Sequence, residues 1–295
     1  MYDVHTHMHD DIFLDTLAER MKNLENKNIK IITIGTDKTN NEKAKKLADK
    51  YDGVFYTVGL HPHDNLDEDF LESDYEKYME DSKCVAVGEC GLDYFYLKGD
   101  KEKGLIENMD REVDRQQSLF IEQIEFAKKY NKPLMIHGRP SEKNEIDNPE
   151  GVDAYEDMLF ILEKYYKKEN REESDDVDVE IKKIEKKSVG NVHFFVGNIE
   201  VAQRFINLGF TFSFGGVITI TDEYNEVLKY IPTDHIHTET DSPYVVPKDS
   251  EGKRVSKINS SENIEIIINK IAEIKNIKVE DLKSQLEKNF LRDFC

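Results

Sequence analysis

Eight short strand-like segments, most of them apolar runs, are each separated from the next by a longer polar or amphipathic stretch, and this leaves the chain few possible folds. The runs lie at 2–6, 29–35, 54–60, 84–90, 133–138, 191–195, 211–215 and 235–241. They are rich in Val, Ile, Phe and Tyr, and most end on Gly or a polar residue, as strands do. Helix-like stretches stand between them at 41–51, 113–130, 152–168, 199–208 and 222–230. In the second of these, Leu119, Phe120, Gln123, Ile124 and Ala127 form an inward stripe at helical spacing. Strands alternating with helices imply a parallel sheet covered by helices. A count of eight favours a closed (βα)8 TIM barrel over a doubly wound sheet, which would carry a Gly-rich phosphate loop after its first strand; no such loop is present. The expected fold is therefore α/β, one TIM-barrel domain over residues 1–295. Two helices at 261–274 and 279–290 close it, with Ser260 or Ser261 as N-cap. Charged insertions are expected at 97–110 and 163–187, the second as a solvated surface excursion.

A chain of 295 residues can bury a core large enough to fold without a disulfide or a structural metal. Cys84, Cys90 and Cys295 are odd in number and lack CxxC spacing, so they read as free thiols in a reducing compartment. No apolar run approaches the roughly 18 residues that span a bilayer, and no leader-like segment opens the chain. The expectation is a cytoplasmic or nuclear protein with no membrane contact, monomeric by default. The net charge of −20, from 41 basic and 61 acidic residues, works against wrapping long duplex DNA. It is compatible with gripping a few nucleotides, because bound dications reverse the local sign. Lys248, Lys253, Arg254 and Lys257, after the eighth run, read either as local positive charge or as an ordinary solvated loop.

The chemistry gathers at the ends of the runs. His5 and His7 are two apart on the first, so both imidazoles face one side of a strand. His61 and His63 follow the third run, Glu89 closes the fourth, His137 ends the fifth, His193 lies on the sixth and Asp241 ends the eighth. The C-terminal ends of barrel strands form one face, which carries the active site. That face would hold four histidines and two carboxylates from five strands, a donor set suited to borderline ions such as Zn or Mn. Six donors exceed what one catalytic zinc needs, so two ions are expected, with one carboxylate bridging them. His9, His235 and His237 read as structural or surface histidines, and Asp222 and Glu239 as surface or capping groups.

These residues, in this order, resemble the TatD family of metal-dependent hydrolases of the amidohydrolase superfamily. The resemblance runs from Asp3 to Phe290, through Asp3-Val-His-Thr-His, Gly59-Leu-His-Pro-His, Val87-Gly-Glu-Cys-Gly-Leu-Asp-Tyr, Ile136-His-Gly-Arg, Val192-His-Phe-Phe and Glu239-Thr-Asp-Ser-Pro-Tyr. It implies a barrel of the metal-dependent hydrolase type holding two divalent ions, Mg, Mn or Zn. His5, His7 and Asp241 would hold one, His137 and His193 the other, with Glu89 bridging. Asp241 would take a proton from the attacking water, making Asp241 and Glu89 the catalytic pair. His61, His63 and Arg139 would contact the substrate, Arg139 as a phosphate clamp. The implied activity is a deoxyribonuclease, a 3′-to-5′ exonuclease, acting on a few nucleotides of DNA at the barrel mouth. Two departures stand out: Asn259-Ser-Ser-Glu-Asn where relatives carry Asn-Glu-Pro, and Gly138 where they carry a larger residue. The same site would serve a hydrolase of another ester or amide, such as an aminoacyl ester on transfer RNA. A barrel kept only as a binding scaffold would have lost ligands, and here every inferred ligand is intact.

Overall fold

The structure, a computed structural model, describes residues 1–142, 151–166 and 187–295. Eight parallel strands follow one another in chain order around one sheet. They are β1 (Tyr2–Thr6), β2 (Lys30–Ile34), β3 (Val54–Val58), β4 (Cys84–Asp93), β5 (Leu134–Arg139), β6 (Gly190–Val192), β7 (Phe210–Phe214) and β8 (Ile236–Thr238). The sheet curls back on itself. Asp241 N–H donates to the His5 carbonyl (2.9 Å), His7 N–H to the Ser242 carbonyl (2.7 Å) and the Thr238 hydroxyl to the Tyr2 carbonyl (2.8 Å). The result is a nearly closed barrel.

Ten α-helices are described: α1 (Leu17–Asn26), α2 (Lys38–Lys50), α3 (Glu72–Tyr75), α4 (Leu97–Lys103), α5 (Met109–Lys129), α6 (Asp153–Tyr166), α7 (Ile199–Asn207), α8 (Asn225–Tyr230), α9 (Ile264–Lys275) and α10 (Val279–Phe294). The main apolar core lies between strands and helices, where Ile31, Val58, Leu134 and Phe212 meet Leu47, Phe120, Leu159 and Phe205. The expected stripe on α5 is buried throughout. A smaller cluster joins Val4, Ile32 and Met135 to Phe290 and Phe294 of α10.

Several boundaries differ from the sequence reading for physical reasons. The sixth and eighth strands are only three residues long, because Phe194 (φ 48°) and Asp241 (φ 51°) turn the chain through the left-handed region. His193 and Asp241 therefore stand on loops just past their strands. The charged insertion at 97–110 is mostly ordered: α4 buries Leu97 and Asp100, and Asn108 caps α5 by accepting from Arg111 N–H. Neither Ser260 nor Ser261 caps α9. Ser260 bonds Glu262, and the Ser261 hydroxyl turns to Thr6. The stretch read as an excursion at 163–187 lies, between Tyr166 and Lys187, outside the described residues.

At the strand-start end, α10 is clamped to the barrel by Asp293, which is fully buried. It accepts from Ser188 N–H (3.0 Å), the His237 ring (2.9 Å) and the Arg292 guanidinium (2.8 and 2.6 Å). Burial raises its pKa, but the bonds from Arg292 and His237 hold it well below the usual carboxylate range. A depressed folded value means that the stabilisation is complete above the unfolded pKa of about 3.9 and fades as pH falls through the folded value. Asp293→Asn is expected to lower the urea unfolding free energy by about 2–3 kcal/mol at neutral pH, with the gap to the native chain shrinking below about pH 4. Equal stability at neutral pH would show that the clamp contributes nothing.

Candidate metal centre

Glu89 is the hub of the barrel mouth, and its two oxygens face different partners. Oε1 lies 2.8 Å from His193 Nε2, 3.0 Å from His137 Nδ1 and 3.7 Å from His61 Nε2. Oε2 lies 3.5 Å from His5 Nε2 and 3.9 Å from His7 Nε2. Asp241 Oδ1 faces the same two histidines at 3.8 and 3.6 Å. His5, His7 and Asp241 thus form one compact donor group, and Glu89, His137 and His193 another. All six expected ligands come together.

A cation fits the hydrogen-bonding state of these residues. Both ring nitrogens of His5 are buried without a hydrogen-bond partner, and so is His193 Nδ1. The His5 and His193 rings stack face to face at 3.6 Å. Buried polar atoms left unbonded are costly, so a donor set of this kind is made for a ligand. Burial and the neighbouring His193 push the His5 pKa down to about 4. Burial also opposes protonation of His7 and His137. Yet the carboxylate of Asp241 with that of Glu89 raises His7 to about 9, and Asp93 with Glu89 raises His137 to about 10. Glu89 itself is held well below the usual range: burial opposes this, and His193, His5 and His137 outweigh it.

Three further carboxylates, Asp3, Asp93 and Glu239, hold the cluster from behind. Asp93 Oδ2 lies 3.0 Å from His137 Nε2, which leaves Nδ1 as the nitrogen facing Glu89. Asp3 accepts from Thr240 N–H (2.9 Å) and the Thr240 hydroxyl (2.6 Å), tying β1 to the turn that carries Asp241. Glu239, read as a surface or capping group, is fully buried. It accepts from Phe194 N–H (2.7 Å) and Ser213, and Ser213 receives Asn191 Nδ2 (2.7 Å). This polar chain fixes the turn after His193. A period-two signal is present for all three, since Asp3 stands two residues from His5, Asp93 four from Glu89 and Glu239 two from Asp241.

Side-chain amides satisfy the backbone where the strands end. Asn41 of α2 bonds both N–H (3.2 Å) and C=O (3.0 Å) of Gly59. Gln123 of α5 does the same for Leu60 at 2.9 Å each, and Gln116 for Asp93 at 2.8 and 3.1 Å. Each amide supplies one donor and one acceptor in the pattern of a neighbouring strand. Gly59 is required by close approach, because a Cβ there would lie 2.6 Å from the Gly88 carbonyl carbon. Asn259, in the segment that departs from the family pattern, donates to the carbonyls of Thr240 (2.8 Å) and Val245 (3.2 Å) and so holds the last loop.

A cavity of about 720 Å³ opens above the cluster, lined by His61, His63, Tyr96, Arg139 and Tyr244, among others. His61 Nδ1 meets the N–H groups of His63 and Asp64 at 3.2 Å and Asp64 Oδ1 at 3.0 Å, leaving Nε2 toward Glu89. His63 faces the same cavity but bonds Asp100. Arg139 reaches the wall beside Gly138, where a Cβ would strike the Tyr155 ring at 2.5 Å. His9 also lines the cavity and bonds Thr33 Oγ1 at 2.7 Å; His235 pairs with Asp234, and Asp222 receives the Asn225 amide. Of the four cations after β8, Lys253 pairs with Glu251 and Arg254 donates to the Val246 carbonyl.

A parallel α/β barrel whose strand ends converge on imidazoles and carboxylates has the architecture of a metal-dependent hydrolase. The sequence model of the TatD-related DNase family matches residues 2–294, and the chain belongs to that family of metal-dependent hydrolases. It is 30% identical to the metal-dependent hydrolase YabD of Bacillus subtilis, an alignment covering all of this chain and 98% of that protein. It is 28% identical to the metal-dependent hydrolase YcfH of Escherichia coli, over 85% of this chain and 77% of that one. Among solved structures, the fold resembles the TatD homologue YjjV of Escherichia coli, with TM-score 0.74, 23% identity and coverage of 100% and 97%. It also resembles a TatD-family hydrolase of Entamoeba histolytica, with TM-score 0.71, 20% identity and the same coverage.

Asp93→Asn is expected to weaken divalent-ion retention about 10- to 100-fold in competition with a chelator, because the His137 ring loses the group that orients it. Native affinity in that variant would show that His137 needs no carboxylate behind it.

Proposed function

We propose that the chain is a deoxyribonuclease that hydrolyses DNA phosphodiester bonds as a 3′-to-5′ exonuclease, using two divalent ions, Mg, Mn or Zn. The observation that carries this reading is the division of Glu89: one oxygen faces His5 and His7, the other His137 and His193. His5, His7 and Asp241 would hold one ion and His137 and His193 the other, with Glu89 shared. Bound there, the ions would supply Lewis acidity for the phosphoryl group and lower the pKa of the attacking water.

The residues of the chain do the rest. Asp241, with part of its side chain open to the cavity, takes the proton of the attacking water on its carboxylate. Arg139 presents a planar fork of donors that matches two phosphate oxygens. His61 offers Nε2 to the same phosphate. A cavity of about 720 Å³ suits a short stretch of chain at a DNA end, in keeping with a net charge of −20 that disfavours long duplex contacts.

The test is cleavage of 5′-end-labelled single- and double-stranded DNA with added Mg, Mn or Zn or with chelator. The expected result is a metal-dependent ladder shortening from the 3′ end. It should disappear with chelator and fall at least about a thousandfold in Asp241→Asn. No metal-dependent cleavage by a metal-loaded chain would refute the nuclease reading and favour a carbonyl ester or amide as substrate.

A further inference from the structure

Asp100 is a buried carboxylate that neither donor group uses. It sits on α4, in the charged insertion after β4, and is 4% exposed. Its Oδ2 lies 2.7 Å from His63 Nε2. The His63 ring stacks on Tyr96, with centroids 4.4 Å apart and planes at 23°. The Tyr96 hydroxyl accepts from Arg139 Nη1 at 3.0 Å. The Arg139 guanidinium also lies over the Phe95 and Tyr96 rings, 4.0 and 4.8 Å from their centroids. Asp100 N–H donates to the Tyr96 carbonyl at 2.9 Å, so His63, Tyr96 and Asp100 form a closed ring of contacts.

His63, Tyr96 and Arg139 line the reaction cavity, and Asp100 stands behind them. A free arginine side chain has many rotamers, and a clamp that must order it on binding loses affinity to that entropy. Here the guanidinium is ordered in advance by two aromatic faces and one hydroxyl. The Tyr96 face is aimed in turn by the His63 ring stacked on it and by the His63–Asp100 bond. Lys103 Nζ also lies 3.9 Å from Asp100, but it is mostly exposed, and such a pair orders little.

We propose that Asp100 and His63 are positioning residues for Arg139, so that the insertion after β4 sets how tightly the substrate phosphate is held. The proposal rests on the reading of Arg139 as the phosphate-holding group. It assigns His63 to the support of the clamp and not to direct contact with substrate.

The experiment uses the full, metal-loaded chain with a thymidine dinucleotide as substrate, and calorimetric titration with inorganic phosphate as a second readout. Asp100→Asn is expected to raise KM and the phosphate Kd about tenfold with kcat within about twofold, and Asp100→Glu to recover part of the loss. His63→Gln retains a donor for Asp100 but loses the ring stack. It should show the same KM increase, and it carries the test if Asp100→Asn does not fold. In an Arg139→Ala background, adding Asp100→Asn should change neither constant by more than about twofold, because both residues then serve one lost function. Full additivity of the two substitutions, equal effects on kcat and KM, or a native KM in both Asp100→Asn and His63→Gln would overturn the proposal. A native KM and phosphate Kd in Arg139→Ala alone would remove its premise, the clamp itself, and is distinguishable from these outcomes.

Discussion

An ionised carboxylate taken out of water must be surrounded by positive charge or donors, and the mouth of this barrel is arranged around one such group, Glu89. Five imidazoles lie within 4 Å of its two oxygens. They cannot all carry protons at that density, because like charges at such distances repel strongly in a buried site. The protein-only cluster resolves this unevenly. His7 and His137 are raised by the carboxylates that face them, whereas His5 is driven neutral and left with both nitrogens unbonded. Divalent ions bound there would relieve both problems, offering neutral imidazoles a partner and Glu89 a counter-charge.

Holding such a cluster requires strand ends that depart from regular pairing, and irregular backbone must still find its hydrogen bonds. Asn41, Gln116, Gln123 and Asn259 supply them, each bonding the backbone of the segment that carries a cluster residue or its neighbour. The site is therefore anchored to α2, α5 and the last loop as well as to the strands. Asp3, Asp93 and Glu239 add a second set of constraints on the functional side chains themselves. Precision at the mouth comes from buried polar contacts, and stability from the apolar layer between strands and helices.

The barrel was readable because most strands are short runs rich in β-branched or aromatic residues and α5 shows its apolar stripe plainly. The gathering of His5, His7, Glu89, His137, His193 and Asp241 was readable because strand ends in this fold share one face. Other features left no local signature. α1 buries only Met21 and Leu24, too thin a stripe to stand out in a polar segment. Asp100 looks like an ordinary charged residue of a charged segment, and only tertiary packing makes it a buried partner of His63. β6 and β8 are shorter than their sequence suggests, since His193 stands between Val192 and Phe194 and β-branched Thr238 and Thr240 lead up to Asp241, while the backbone has already turned.

The most direct test of the account is the number of ions bound. Equilibrium dialysis of the chain against Mn or Zn, followed by metal analysis, should give two ions per chain. Glu89→Ala, folded as judged by circular dichroism, should retain at most one under the same conditions. Two ions held by that variant with native affinity, or a single ion in the native chain, would contradict a carboxylate shared between two metal positions.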